Sequence, residues 1–188
     1  MTALPWVLAA SAVVVSIVVA VVALRTSATP PTALPTAFTS QGVGSASSTP
    51  RGEADALFDR AMTAFESGDS AAATFSGRMA LSAYHLLGDL DADAHFHVGL
   101  LNQITGDYRS MIARADSIEA LVPTHLFAAL LRHRAGRLSG SQEWMEQGYR
   151  EFLQRYDSEI AAGRWEYDVH GRLIESFRAD AAAATGRQ

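Results

Sequence analysis

The sequence predicts an all-α protein in which an N-terminal transmembrane helix precedes a domain of antiparallel helix hairpins. Three observations indicate this organisation: the chain starts with an uncharged apolar stretch, continues through a stretch rich in Pro, Ser, Thr and Ala, and ends in a long charged segment with one proline. In that last segment apolar residues recur with a period near 3.6, and none of it alternates with the period of two that a strand requires. We therefore predict an anchor over residues 1–25, a flexible linker over 26–52 and a helical domain over 53–188.

Residues 3–24 contain no charged side chain and form the predicted membrane anchor. As a helix this span would be about 33 Å long, enough to cross the hydrocarbon core of a bilayer. Its length, and the absence of a basic residue before it, favour a retained anchor over the alternative of a cleaved signal peptide. Arg25 at its end favours a cytoplasmic domain, but a linker of small uncharged residues is typical of extracytoplasmic tethers. We therefore expect a single-pass protein of the bacterial inner membrane with a periplasmic domain.

Small residues recur every three or four positions within the predicted anchor. On a helix such residues form one stripe, and a stripe of small side chains lets a second membrane helix approach closely. The alternative is that the abundance of alanine produces such a stripe by chance. The residues predicted to pack against a membrane helix of a partner are Ala9, Ala12, Ser16, Ala20 and Ala23.

The composition of the chain excludes several chemistries. It contains no cysteine and no lysine, which excludes disulfides, thiol nucleophiles, Schiff bases and a P-loop lysine. From Glu53 onward thirteen arginines face twenty acidic residues, a balance of −7 that argues against nucleic-acid binding. No HExxH motif occurs, and His95 and His97 would point to opposite sides of a helix. We therefore predict no catalytic residue, no metal site and no cofactor, and hence a protein that is not an enzyme.

Apolar periodicity and turn signals divide the domain into seven predicted helices. Gly68-Asp69 and Gly106-Asp107 each combine a residue that tolerates a left-handed backbone with a side chain that caps the next helix. Pro123 ends the fourth helix, and Thr124 is predicted to cap the fifth. The connections are short, so neighbouring helices are expected to be antiparallel. The predicted helices span residues 53–67, 70–88, 92–105, 108–121, 124–135, 141–162 and 166–184.

The segment from Ala94 to Tyr108, AHFHVGLLNQITGDY, resembles the first helix and turn of a tetratricopeptide repeat. Val98-Gly99 fall on the Leu-Gly pair of that motif, Gly106-Asp107-Tyr108 on its turn, and Pro123 on its closing proline. One unit before this segment and a more degenerate one after it keep parts of the pattern, so the resemblance covers about 90 residues. It implies stacked helix hairpins and a role in protein–protein interaction. An ordinary helical bundle is the alternative.

In that family the first helices of stacked repeats line a concave surface, and the resemblance implies such a groove here. Its lining would be apolar and suited to a helix or peptide of a partner protein. The alternative is that the same residues form the core, covered by the last two predicted helices. The predicted binding residues are Phe58, Met62, Phe65, Phe96, Leu100, Gln103, Leu126, Leu130 and His133 in the groove, with Trp165 as a separate interface anchor.

The anchor and the resemblance together predict a membrane-anchored protein that acts by protein–protein interaction. Its expected partners are the lipid bilayer, through residues 3–24, and a membrane protein complex in which it would be an accessory, structural or assembly subunit. Respiratory, photosynthetic and cytochrome-maturation complexes are the expected hosts, by analogy at the level of fold. Two alternatives stay open: a tethered extracytoplasmic adaptor that captures peptides and, with less support, an enzyme.

Overall fold

The computed structural model of the chain describes residues 49–186. The predicted anchor over residues 3–24, with its stripe of small residues, lies outside the described residues and stays a prediction. Among the described residues, no helix combines the length and the apolar character needed to cross a bilayer. The first helix starts at Pro50, earlier than the predicted domain boundary at residue 53, because the Thr49 hydroxyl caps it by accepting a hydrogen bond from the Gly52 amide at 3.1 Å.

The described part of the chain is all-α, as the sequence predicts. The seven predicted segments correspond to eight helices, because the last predicted segment is interrupted at His170. This residue has a non-helical backbone with φ −98° and ψ 17°, and Gly171, a poor helix former, follows it. The helices are α1 (Pro50–Glu66), α2 (Ser70–Leu86), α3 (Ala92–Ile104), α4 (Tyr108–Leu121), α5 (Leu126–Ser139), α6 (Gln142–Ala161), α7 (Trp165–Val169) and α8 (Gly171–Thr185).

Side-chain caps set most of the helix starts. Helix α5 begins at Leu126, later than predicted, because Thr124 does not cap it. The Thr124 hydroxyl donates a hydrogen bond to Glu159 at 2.5 Å, and His125 Nδ1 accepts the Phe127 amide at 3.2 Å. The starts of α2, α3 and α4 follow the usual rule, with an aspartate that accepts a hydrogen bond from the third amide ahead. These caps are Asp69, Asp91 and Asp107.

The first six helices form three successive antiparallel hairpins, α1–α2, α3–α4 and α5–α6. The helices that open each hairpin, α1, α3 and α5, pack against one another in that order, and α8 packs against α6. The turns within the first two hairpins contain Gly68 and Gly106, whose φ angles of 80° and 72° favour glycine. This packing is compatible with a helical repeat.

Helix α5 lies at the centre of the packing and is buried along most of its length. On one side Phe127 stacks on Phe96 of α3, with ring centroids 4.1 Å apart. On another side α6 approaches so closely that a Cβ atom at Gly148 would lie 2.6 Å from the carbonyl oxygen of Ala129 and from the backbone nitrogen of His133. Because neighbouring helices cover several faces of α5, its apolar residues form the core of the domain.

Candidate functional site

Seven of the ten residues predicted to bind a partner are buried. A buried side chain offers no surface to another protein, so these seven residues form no open groove in the described packing, and their role in binding a partner stays a prediction. The alternative interpretation, in which the same residues form the core, agrees with their burial. The buried residues are Phe58, Phe96, Leu100, Gln103, Leu126, Leu130 and His133.

The C-terminal helices account for the burial of the α5 members of this set. His133 stacks on Tyr149 of α6, with ring centroids 3.9 Å apart, and contacts the Phe177 ring of α8 edge-on at 5.0 Å. The amide of Leu126 donates a hydrogen bond to the hydroxyl of Tyr167 in α7 at 3.0 Å. Helices α6, α7 and α8 therefore occupy the side of α5 that a partner would have needed.

The remaining three predicted residues are accessible to different degrees. Met62 is half-buried and packs against the core. Phe65 near the end of α1 is 38% exposed, and Trp165 at the start of α7 is 58% exposed. The role of these two side chains as contact residues stays a prediction.

Helix α2 carries an exposed apolar stripe that the sequence pattern did not predict. Phe75, Met79 and Leu86 are 68%, 42% and 85% exposed. At 100° per residue their spacings of four and seven positions place them within about 40° of arc on the helix surface. We call these three residues the α2 stripe. Met79 and Leu86 also line a shallow groove of about 400 Å³ whose other wall includes Leu57 of α1. Contiguous exposed apolar surface of this kind marks an interaction site more often than isolated exposed residues do.

A second candidate site is a cluster of polar side chains between α1, α3 and the start of α8. We call Asp93, His97 and His170 the Asp93 cluster. Asp93 Oδ1 lies 3.0 Å from His170 Nε2 and 3.7 Å from His97 Nε2. The side chains of Asp93 and His97 are nearly buried, and that of His170 is 17% exposed. Burial alone would raise the pKa of Asp93, but the hydrogen bond from His170 and the electrostatic effect of the nearby basic side chains His97, His170 and Arg51 outweigh it, so this pKa is lowered.

The other ring nitrogen of His97 is held by a chain of hydrogen bonds. Tyr84 donates its hydroxyl proton to Asp55 Oδ1 at 2.5 Å, and the same hydroxyl oxygen lies 2.8 Å from His97 Nδ1. Since the single hydroxyl proton points to the carboxylate, His97 Nδ1 must carry the proton that it shares with Tyr84. Burial lowers the pKa of His97 and so favours the neutral ring. The unprotonated Nε2 of His97 therefore faces Asp93.

The Asp93 cluster forms one wall of a cavity of about 450 Å³. Arg51 bridges the carboxylates of this region, with guanidinium–oxygen distances of 2.9 Å to Asp55, 3.0 Å to Asp91 and 2.6 Å to Asp93. Asp59 also lines the cavity, so its lining includes four carboxylates and one guanidinium. The cavity is therefore electronegative, and the exposed side chains of Trp165 and Val169 form part of its wall.

The sequence signal for this cluster is a carboxylate and a histidine on one helix face, not a pair of histidines. Asp93 and His97 are four residues apart, so they lie on the same face of α3. His170 could not be added from the sequence, because only the packing of the C-terminal helices brings it to α3. Trp165, in contrast, was predicted as a contact residue and does lie beside the cavity.

Comparisons with known proteins add no assignment to this geometry. No protein-family model, curated protein or solved structure matches the chain significantly.

Proposed function

We propose that this protein acts by protein–protein interaction, and that the α2 stripe is the surface that contacts its partner. The observation that carries the proposal is the exposure of Phe75, Met79 and Leu86 on one face of α2. Burying a fully exposed apolar side chain of this size contributes about 1.5–3 kcal/mol, and Phe75 and Leu86, at 68% and 85% exposed, retain most of that gain. The shallow groove beside Met79 and Leu86 suits an apolar helix of a partner.

The proposal includes the membrane anchor and the tetratricopeptide-like organisation expected from the sequence. Residues 3–24 would hold the chain in the inner membrane, and the helical domain would act in the periplasm as an accessory or assembly subunit of a membrane protein complex. The stacking of α1, α3 and α5 supports the repeat, since the first helices of successive hairpins pack in series. We propose no catalytic role for this domain.

The test is a purification of the full-length tagged protein in mild detergent from its native host, followed by quantitative mass spectrometry. We expect one membrane protein to copurify in stoichiometric amount with the wild type. Its recovery should fall at least about tenfold with the double variant Phe75→Ser/Leu86→Ser, because both side chains would lose apolar burial. These positions are exposed, so the double variant should keep the wild-type circular dichroism spectrum.

Ile160→Ser on α6 is the matched control. Ile160 is 40% exposed, close to the 42% of Met79, but it lies outside the α2 stripe. Its substitution should leave the recovery of the partner unchanged. A wild-type protein that purifies alone, or equal losses in the control and the double variant, would refute the proposal.

The tethered peptide-binding adaptor is the competing function, and it makes a different prediction about the anchor. If the anchor is only a tether, replacing residues 3–24 by an unrelated apolar helix should leave function intact. If the anchor packs against a membrane subunit, Ser16→Leu or Ala20→Leu should weaken copurification by disrupting close helix approach. The burial of the predicted groove counts against the adaptor, because seven of the predicted binding residues are inaccessible.

A further inference from the structure

We propose that Asp93, His97 and His170 form a binding site for a divalent transition metal ion, with Zn²⁺ as the representative ion. This site is separate from the α2 stripe and does not depend on the proposed protein–protein interaction. One carboxylate and two imidazoles are a donor set that zinc and iron use commonly in proteins.

The distances between the donor atoms fit an ion of this size. Asp93 Oδ1 lies 3.0 Å from His170 Nε2 and 3.7 Å from His97 Nε2, and one donor atom from each residue lies within 4.8 Å of the others. Zinc lies about 2.0–2.2 Å from such donors, so donors around a tetrahedral ion are about 3.3 Å apart. The donor spacings in the structure lie close to this value, so small side-chain movements would bring all three donors to one ion. His170 would then carry its proton on Nδ1, and its Nε2 would face the metal instead of donating to Asp93.

Partners outside the cluster orient two of the three donors. The proton on His97 Nδ1 is shared with the Tyr84 hydroxyl at 2.8 Å, which leaves Nε2 as the free donor. Asp93 Oδ2 accepts a hydrogen bond from Arg51 at 2.6 Å, which leaves Oδ1 facing the histidines. Metal ligands in proteins are usually held in this way, by hydrogen bonds on the atoms that do not touch the metal.

The surroundings favour a cation and give it access. Four carboxylates and one guanidinium line the adjoining cavity, so its charge is negative despite the presence of Arg51. Three protein ligands leave at least one coordination position of a tetrahedral ion unfilled, and all three residues line the cavity, which gives that position access to it. The site therefore has the open form that binds water or a small ligand at the metal.

A competing interpretation treats the Asp93 cluster as an ion pair that holds α8 against α3. Both interpretations predict a loss of stability when His170 is replaced, so stability does not distinguish them. Only the metal site predicts stoichiometric zinc binding with two imidazole ligands. Zn²⁺ is the ion to test first, because a site of nitrogen and oxygen donors binds it more tightly than Mn²⁺ or Fe²⁺. A site that fails to bind Zn²⁺ is therefore not expected to bind the other two.

The experiment uses the full-length protein in mild detergent, freed of metal with a chelator and titrated with Zn²⁺ in a calorimeter. We expect one zinc per chain for the wild type. His170→Gln and Asp93→Asn should each weaken binding at least about tenfold, because loss of an outer partner alone costs that much at known sites. His95→Gln is the matched control: His95 lies on α3 as well, but its ring contacts Arg114 at 3.4 Å and is outside the cluster.

X-ray absorption of the zinc-loaded wild-type protein gives a second measurement that needs no variant. We expect two imidazoles and oxygen donors around the metal. The proposal is overturned if the wild type binds no stoichiometric zinc, if both cluster variants bind as well as the wild type, or if His95→Gln loses as much affinity as they do. If the cluster variants lose their helical circular dichroism signal, the X-ray absorption spectrum of the wild type becomes the deciding measurement. Fewer than two imidazole ligands around the zinc would then overturn the proposed metal site.

Discussion

Replacing Gly148 by alanine is a direct test of how closely α6 packs on α5. The new Cβ atom would lie 2.6 Å from the Ala129 carbonyl oxygen, the His133 backbone nitrogen and the His133 Cβ. Carbon atoms normally approach such neighbours to about 3.5 Å, so the overlap is about 0.9 Å. Two of the three contacted atoms belong to the backbone of α5 and cannot rotate away. The helices must therefore move apart.

The magnitude follows from two opposing effects. Overpacking a core costs about 1–3 kcal/mol, and a clash with backbone belongs at the upper end of that range. Alanine favours the helix over glycine by about 1 kcal/mol, which offsets part of the cost. We therefore expect Gly148→Ala to reduce the free energy of unfolding by about 2 kcal/mol, which corresponds to a fall in Tm of about 8 °C for a domain of this size.

The assay is thermal and urea unfolding followed by circular dichroism, with two further Gly→Ala variants as references. Gly171 begins α8, and a Cβ atom at this position would meet no other atom within 4 Å, so Gly171→Ala should be neutral or stabilising by up to about 1 kcal/mol. Gly99 would meet the side chain of Leu131 at 2.6 Å, and since a side chain can adjust, Gly99→Ala should cost about 1 kcal/mol. Equal stability of the Gly148 and Gly171 variants would refute the close packing of α6 on α5.

Further predictions concern buried ionic contacts. Arg132 is buried on α5, and its guanidinium contacts Glu119 at 2.9 Å and Glu151 at 2.5 Å, so Arg132→Met should cost about 3 kcal/mol in urea unfolding at pH 7. Burial raises the pKa of Glu119, but hydrogen bonds from Arg132 and Arg155 outweigh it and the net shift is downward. The stabilisation from Glu119 is therefore complete above the ordinary pKa of 4.5 and is lost as pH falls from there through the lowered pKa of the folded protein. The loss of stability between about pH 5 and pH 3 should be smaller in Arg132→Met than in the wild type, and an equal loss would contradict this reasoning. Glu159→Gln should lower Tm, with a cost of about 2 kcal/mol, because the buried carboxylate accepts hydrogen bonds that one amide oxygen cannot replace; an unchanged Tm would show that these hydrogen bonds contribute little.

Helix existence and helix boundaries were largely predictable, because their signals are local. Gly68-Asp69 and Gly106-Asp107 mark turns through backbone freedom and side-chain caps that act within a few residues. The exceptions have non-local causes. Thr124 fails to cap α5 because Glu159 of α6 takes its hydroxyl, and the last predicted helix is broken at His170, whose ring is bound to α3.

The candidate sites were harder to predict, since they depend on which faces are covered. The periodicity of α5 placed Leu126 and Leu130 on an apolar face. It did not show that α6, α7 and α8 would cover this face. Phe75 and Leu86 look like core residues in the sequence, and their exposure is evident only when α2 is seen to have no neighbour over that face among the described helices.

The sequence by itself determined the fold class, the antiparallel hairpins and the acidic charge of the helical domain, because periodicity, turn chemistry and composition act locally or as sums. The tertiary structure alone decided that seven of the predicted groove residues are buried, that α2 presents an apolar face, and that His170 joins Asp93 and His97. These outcomes depend on contacts between residues far apart in the chain, such as the 3.0 Å contact between His170 and Asp93. A helical pattern specifies which face of a helix is apolar, but the neighbour that covers that face is fixed only when all the helices pack together.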